Sequence, residues 1–165
     1  DALLSRGLGD VYKRQVSDSA IKHGGRVTGI TLKSLDDFEL TNPIITETII
    51  THSLFERKDK FLEISDAFIV MPGGVGSMDE LLEVMVSNQL GGINKPVGIL
   101  NINGYYDPFM QWLQHSVDEE FVSTENQKQV LISDDPRELL DMILTVQMPS
   151  QDTWIERLNV EFPSD

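Results

Sequence analysis

Three glycines within four positions, Gly73, Gly74 and Gly76, followed by Ser77 and then by Glu80, form the stretch of this chain in which residue type and spacing could do chemistry. Glycine accepts positive φ and lets a ligand approach the main chain. A helix opening behind such a loop aims unpaired N–H groups and a partial positive charge at whatever sits there. The natural occupant of a loop from Gly73 through Val75 to Ser77 is an anion such as a phosphate group. A purely structural reading competes: Ser77-Met78-Asp79-Glu80 also has the form of a capping box, in which Ser77 caps the N3 amide and Glu80 reaches back, stabilising the helix by about 1 kcal/mol. A second feature lies upstream. Arg57 and Lys58 fall inside the apolar sector of an amphipathic helix, and cations turned inward need a carboxylate, a ligand or a route for their stems back to water.

The elements that must position these groups follow from periodicity. The apolar run from Ala67 to Met71 reads as a strand, and Leu81, Leu82, Met85 and Val86 recur at helical spacing from Ser77 to about Leu90, where Gly91-Gly92 closes the helix. Before it, Val16 to His23 reads as helix closed by Gly24-Gly25, Arg26 to Leu32 as strand, Asp36 to Asn42 as polar loop stopped by Pro43, and Ile44 to Thr51 as a strand apolar on both sides, suited to a sheet covered on both faces. The helix carrying Arg57 runs from about Leu54 to Ser65, with Leu54, Phe55, Phe61, Leu62 and Ile64 in one sector. After it come a strand from Val97 to Asn101, a turn at Asn103-Gly104, a helix capped by Asp107 with Pro108 at N1 and reaching about Glu119, a short strand from Gln129 to Ile132, and a helix to about Thr145 opened by Asp135-Pro136-Arg137-Glu138. Alternating strands and helices predict an α/β fold, an open, doubly wound and mostly parallel sheet. Ligands in such sheets bind at the carboxyl ends of strands, which is where Pro72 to Ser77 falls.

Composition narrows the class. The chain has 165 residues, 40% of them hydrophobic, enough for one domain with a core. A formal charge of -14 excludes nucleic-acid polymers and anionic membranes as general partners, while a small anion remains admissible where local donors gather. With no cysteine and three histidines, thiolate chemistry is excluded and a zinc site is not expected. No apolar run reaches the roughly 20 residues needed to span a bilayer, so the expected compartment is the cytoplasm. Residues 1–15 show no helix or strand period and resemble translated adaptor sequence, Gly9 to Gln15 in particular; they are set apart from a domain over 16–147 and a tail over 148–165.

Glu56-Arg57-Lys58, the run from Asp66 through Met71-Pro72-Gly73-Gly74-Val75-Gly76-Ser77-Met78-Asp79-Glu80 to Val84, Lys95 to Asn101, and Gly104-Tyr105-Tyr106 together resemble the LONELY GUY family, the cytokinin riboside 5'-monophosphate phosphoribohydrolases, formerly mislabelled as lysine decarboxylases. The likeness covers about residues 16–147. It implies a Rossmann-like fold and hydrolysis of the N-glycosidic bond of a nucleoside 5'-monophosphate, AMP or a cytokinin type, to free base and ribose 5-phosphate. It also implies a homodimer, no cofactor and no metal. Residue by residue, it makes Arg57 and Glu80 the catalytic pair, and Gly73, Gly74, Val75, Gly76 and Ser77, with Lys58, the phosphate-binding set. A non-catalytic carrier of nucleotide or molybdenum cofactor on the same fold is the alternative; it would keep the loop without needing Glu80. A decarboxylase would need a lysine placed to hold pyridoxal, and none stands out.

The chain departs from the family in three places. Ser77 replaces the usual threonine and keeps the hydroxyl, and Phe55 stands where many members have histidine. The strands and glycine-rich segment that open the family fold are not found ahead of Val16. The resemblance therefore implies a domain lacking its first strands and part of the nucleotide pocket, with activity expected of the full-length protein and apolar faces left open on this chain.

Overall fold

The computed structural model describes residues 8–36 and 44–148. Residues 1–7, all but the first residue, Asp36, of the polar loop expected up to Pro43, and all but the first residue of the expected C-terminal tail lie outside them. The chain divides into two compact units, Asp1–Ser65 and Asp66–Asp165. Among the described residues every strand pairing is parallel and strands alternate with helices, so the α/β, Rossmann-like class expected from the sequence is the class observed. The strands form a two-stranded and a three-stranded sheet, one in each unit, where a single sheet was expected.

In the first unit, helix α1 (Leu8–Lys22) begins well before Val16 and takes in residues that the sequence had set outside the fold. Its end is the one expected: Gly24 adopts φ +81°, and the Gly25 N–H bonds back to the Ala20 carbonyl at 2.8 Å. Strand β1 (Thr28–Leu32) pairs with β2 (Glu47–Thr51), Ile30 opposite Ile49, and the buried Thr51 hydroxyl donates to the Thr31 carbonyl at 2.9 Å. Between them a four-residue helix, α2 (Lys33–Asp36), takes the place of the start of the expected loop. β2 is not covered on both faces, since Glu47 and Thr48 are exposed and Ile50 is 41% exposed. The covering elements are few: α2 and α3 (Leu54–Ile64) pack on this strand pair.

In the second unit, β3 (Phe68–Val70), β4 (Val97–Leu100) and β5 (Val130–Ser133) lie side by side in that order. They are connected through α4 (Val75–Gln89), and through α5 (Asp107–Asp118) with the short α6 (Thr124–Lys128), and followed by α7 (Pro136–Thr145). The central strand shows why both faces are wound. A Cβ on Gly98 would stand 2.8 Å from Ile143 Cδ1 and 2.9 Å from Leu139 Cδ1, so α7 lies directly on the strand at that position. By the two-residue pleat Val97 points the other way, into an apolar groove it shares with Leu82 and Met85 of α4 and Leu113 of α5. Leu81, Val84, Ile99, Tyr106, Leu113, Val130 and Leu139 are also buried. The cap of α7 is the one expected: Asp135 accepts from the Arg137 N–H at 2.7 Å and the Glu138 N–H at 3.0 Å, with Pro136 at N1. Among the described residues no helix is long and apolar enough to cross a membrane.

Candidate active site

The glycine loop sits at the carboxyl end of β3, between Val70 and α4, where the topology puts ligand sites in open parallel sheets. Its local geometry corrects two expectations. First, α4 starts at Val75, two residues before Ser77. The N-cap is Gly74 (φ −95°, ψ −153°), which has no side chain to cap with. Ser77 is therefore the third helical residue and Glu80 lies a turn further on, half-buried, so the two do not form a capping box. The amides of Val75, Gly76 and Ser77 are first-turn donors, for which an α-helix has no acceptor of its own. Val75 and Gly76 are also exposed.

Second, the loop glycines are not there for positive φ. That conformation belongs to Gly24, Gly91 and Gly104. Gly73 is required by proximity: a Cβ there would meet the Ser77 side chain, standing 2.8 Å from its Cβ. The loop folds back so tightly on the first turn of α4 that only glycine fits.

The loop has partners that sequence reasoning did not place in the site. The Tyr105 hydroxyl donates to the Gly73 carbonyl at 2.7 Å and the Tyr106 hydroxyl to the Met71 carbonyl at 2.8 Å. The two rings meet edge to face with centroids 5.0 Å apart. Burial, and then the neighbouring Tyr105, push the Tyr106 phenol up to about 12, so it is a neutral hydrogen-bond donor at physiological pH. The tyrosines follow a 3-10 turn at Ile102–Gly104, in which Asn103 and Gly104 take φ of 53° and 69°. Asn101, just after β4, accepts from the Tyr106 N–H at 2.7 Å and donates to the Asp107 carboxylate at 2.8 Å. Asp107 is thereby engaged with Asn101 and is not the N-cap of α5; Tyr106 occupies that position. Gly104-Tyr105-Tyr106 carried part of the family likeness, and that was the available signal for these side chains.

Arg57 and Lys58 belong to the first unit. Ser53 caps α3, its hydroxyl accepting from the Glu56 N–H at 3.1 Å, and Glu56 in turn accepts from the His52 N–H. Arg57 is turned inward as the helical wheel implied and is 2% exposed. Its Nε donates to the Ile30 carbonyl at 3.0 Å, and its guanidinium lies over the Phe61 ring, 5.0 Å from the centroid. Lys58 is half-buried, its Nζ 6.0 Å from the centroid of Phe55. The rest of the wheel is shifted from expectation. Leu54, Phe55 and Ile64 are 55%, 79% and 45% exposed, because the inward line runs through Arg57 and Phe61, one turn apart.

A family described as possible lysine decarboxylase matches residues 14–143. A cytokinin riboside 5'-monophosphate phosphoribohydrolase of Arabidopsis thaliana is 37% identical over 156 residues, which is 94% of this chain and 73% of the relative. A second Arabidopsis thaliana protein of that name is 40% identical over 131 residues, 79% of this chain and 60% of the relative. A probable phosphoribohydrolase of the same kind from Oryza sativa subsp. japonica is 35% identical over 159 residues, covering 96% of this chain; the chain spans 63% of that relative's length. On the breadth of these matches, the chain belongs to the LONELY GUY family of cytokinin riboside 5'-monophosphate phosphoribohydrolases.

Proposed function

We propose that the protein hydrolyses the N-glycosidic bond of nucleoside 5'-monophosphates, AMP or a cytokinin type, releasing the free base and ribose 5-phosphate. The observation that carries the reading is the start of α4: exposed first-turn amides behind a glycine N-cap that offers them no side-chain oxygen. In the proposed site Gly73, Gly74, Val75, Gly76 and Ser77 bind the 5'-phosphate. The family likeness supports Lys58 as a further phosphate-binding residue and Arg57 as a catalytic residue, a role suited to a guanidinium's planar fork of donors.

Cleavage passes through an oxocarbenium-like sugar, so a carboxylate close to the anomeric carbon stabilises the developing charge and activates water. Glu80 takes that role. The water oxygen bonds to the anomeric carbon as the carbon–nitrogen bond breaks, the electron pair leaves with the base, and the proton taken up by Glu80 is returned to the base. The step uses no cofactor and no metal. The family likeness further supports a homodimer acting on a small-molecule substrate, and the cytoplasm is the proposed compartment.

The test is incubation of the full-length protein with AMP and isopentenyl-AMP beside Glu80→Gln, with free base measured chromatographically. Wild type is expected to release base, and the variant to do so about a hundredfold more slowly or less. No release by wild type would end the enzymatic reading; undiminished release by the variant would remove Glu80 from its role.

A further inference from the structure

The peptide between Gly73 and Gly74 is the most weakly determined in the loop by its own sequence. Both flanking residues lack a Cβ, so few steric limits act on the torsions that rotate this plane. It is planar and trans, so the Gly73 carbonyl and the Gly74 N–H point in opposite directions. Whatever fixes the carbonyl therefore aims the N–H. That carbonyl accepts from the Tyr105 hydroxyl at 2.7 Å. Two peptides earlier, the Met71 carbonyl accepts from Tyr106 at 2.8 Å. Its plane carries no N–H, because the next residue is Pro72, so this second bond holds the end of β3 and the proline ring and aims no donor. The anchor is firm: Tyr106 is 2% exposed, and its backbone is held by Asn101.

We propose that Tyr105 and Tyr106 are positioning residues for the anion site, Tyr105 turning the Gly73–Gly74 peptide so that the Gly74 N–H joins the first-turn amides of α4 as a phosphate donor. The inference rests on the reading of this loop as the phosphate site. A merely structural tyrosine would affect every ligand alike through the fold. A positioning tyrosine acts only on ligands that carry the phosphate.

Tyr105→Phe separates the two, because it removes one oxygen from a residue that is 53% exposed and leaves the ring in place. In the full-length protein, calorimetric titration with AMP and with adenosine is expected to show AMP affinity falling about three- to tenfold while adenosine affinity is unchanged. The KM for AMP is expected to rise by the same factor, with kcat within about twofold. Tyr106→Phe is expected to lower AMP affinity in the same direction, through the freed Met71 carbonyl. Unchanged AMP binding in both variants, or AMP and adenosine weakening together, would overturn the positioning role. If wild type holds AMP no more tightly than adenosine, the phosphate-site reading fails and this inference falls with it.

Discussion

Gly73→Ala tests the loop at its tightest point. The added methyl would meet the Ser77 side chain, with only 2.8 Å to Ser77 Cβ. The Ser77 hydroxyl can swing to another rotamer, but its Cβ is carried by the helix backbone and cannot move without α4. Overpacking of this kind costs about 1–3 kcal/mol. The obstruction can be removed from the other side, by Ser77→Gly, at the helix-propensity cost of about 1 kcal/mol. If the contact is what excludes a side chain at position 73, the double variant should lose less than the sum of the two single losses, by about 1 kcal/mol or more. The assay is denaturant unfolding of the four proteins of the cycle in their full-length form. Additivity within about 0.5 kcal/mol would refute the reasoning, since it would mean that the loop moves away from α4 independently of Ser77.

Gly98→Ala makes a parallel test in the core: its methyl would stand 2.8–2.9 Å from side-chain ends of Ile143 and Leu139, both buried, and a loss of about 1–3 kcal/mol in denaturant unfolding is expected, against little change if α7 can lift off β4. At the start of α7, the Glu138 and Arg137 amides hold the Asp135 carboxyl below its ordinary value of 3.8. Its contribution to stability is therefore complete above that value and is lost as pH falls through the lower folded one. Asp135→Asn should flatten this acid limb in a pH series of thermal melts, and an unchanged limb would contradict the assignment.

How far each feature was legible depended on the range of the interaction behind it. The start of α7 could be read because Asp135, Pro136 and Glu138 signal it within four residues and nothing distant competes. The closing turns of α1 and α4 were legible for the same reason, each marked by a glycine at positive φ, Gly24 and Gly91. The start of α4 was misread because a glycine N-cap leaves no side-chain signature, while Ser77 and Glu80 three apart imitate one. Short α2 and α6 span four and five residues, too few to show a helical period. The tyrosine contacts with the loop cross 32 and 35 residues of sequence, and no periodicity reaches that far.

The proposed phosphate site joins two requirements that pull in opposite directions. To bring amides close to an anion such a loop must be bare, and bareness leaves its peptide planes free to turn. The chain meets the first requirement locally, with glycine at 73, 74 and 76, and the second from a distance, with phenols from the turn after β4. Ser77 in place of the family's threonine fits this division. The atom that bars a side chain at position 73 is the Cβ of residue 77, which serine and threonine share, so the glycine is demanded by either.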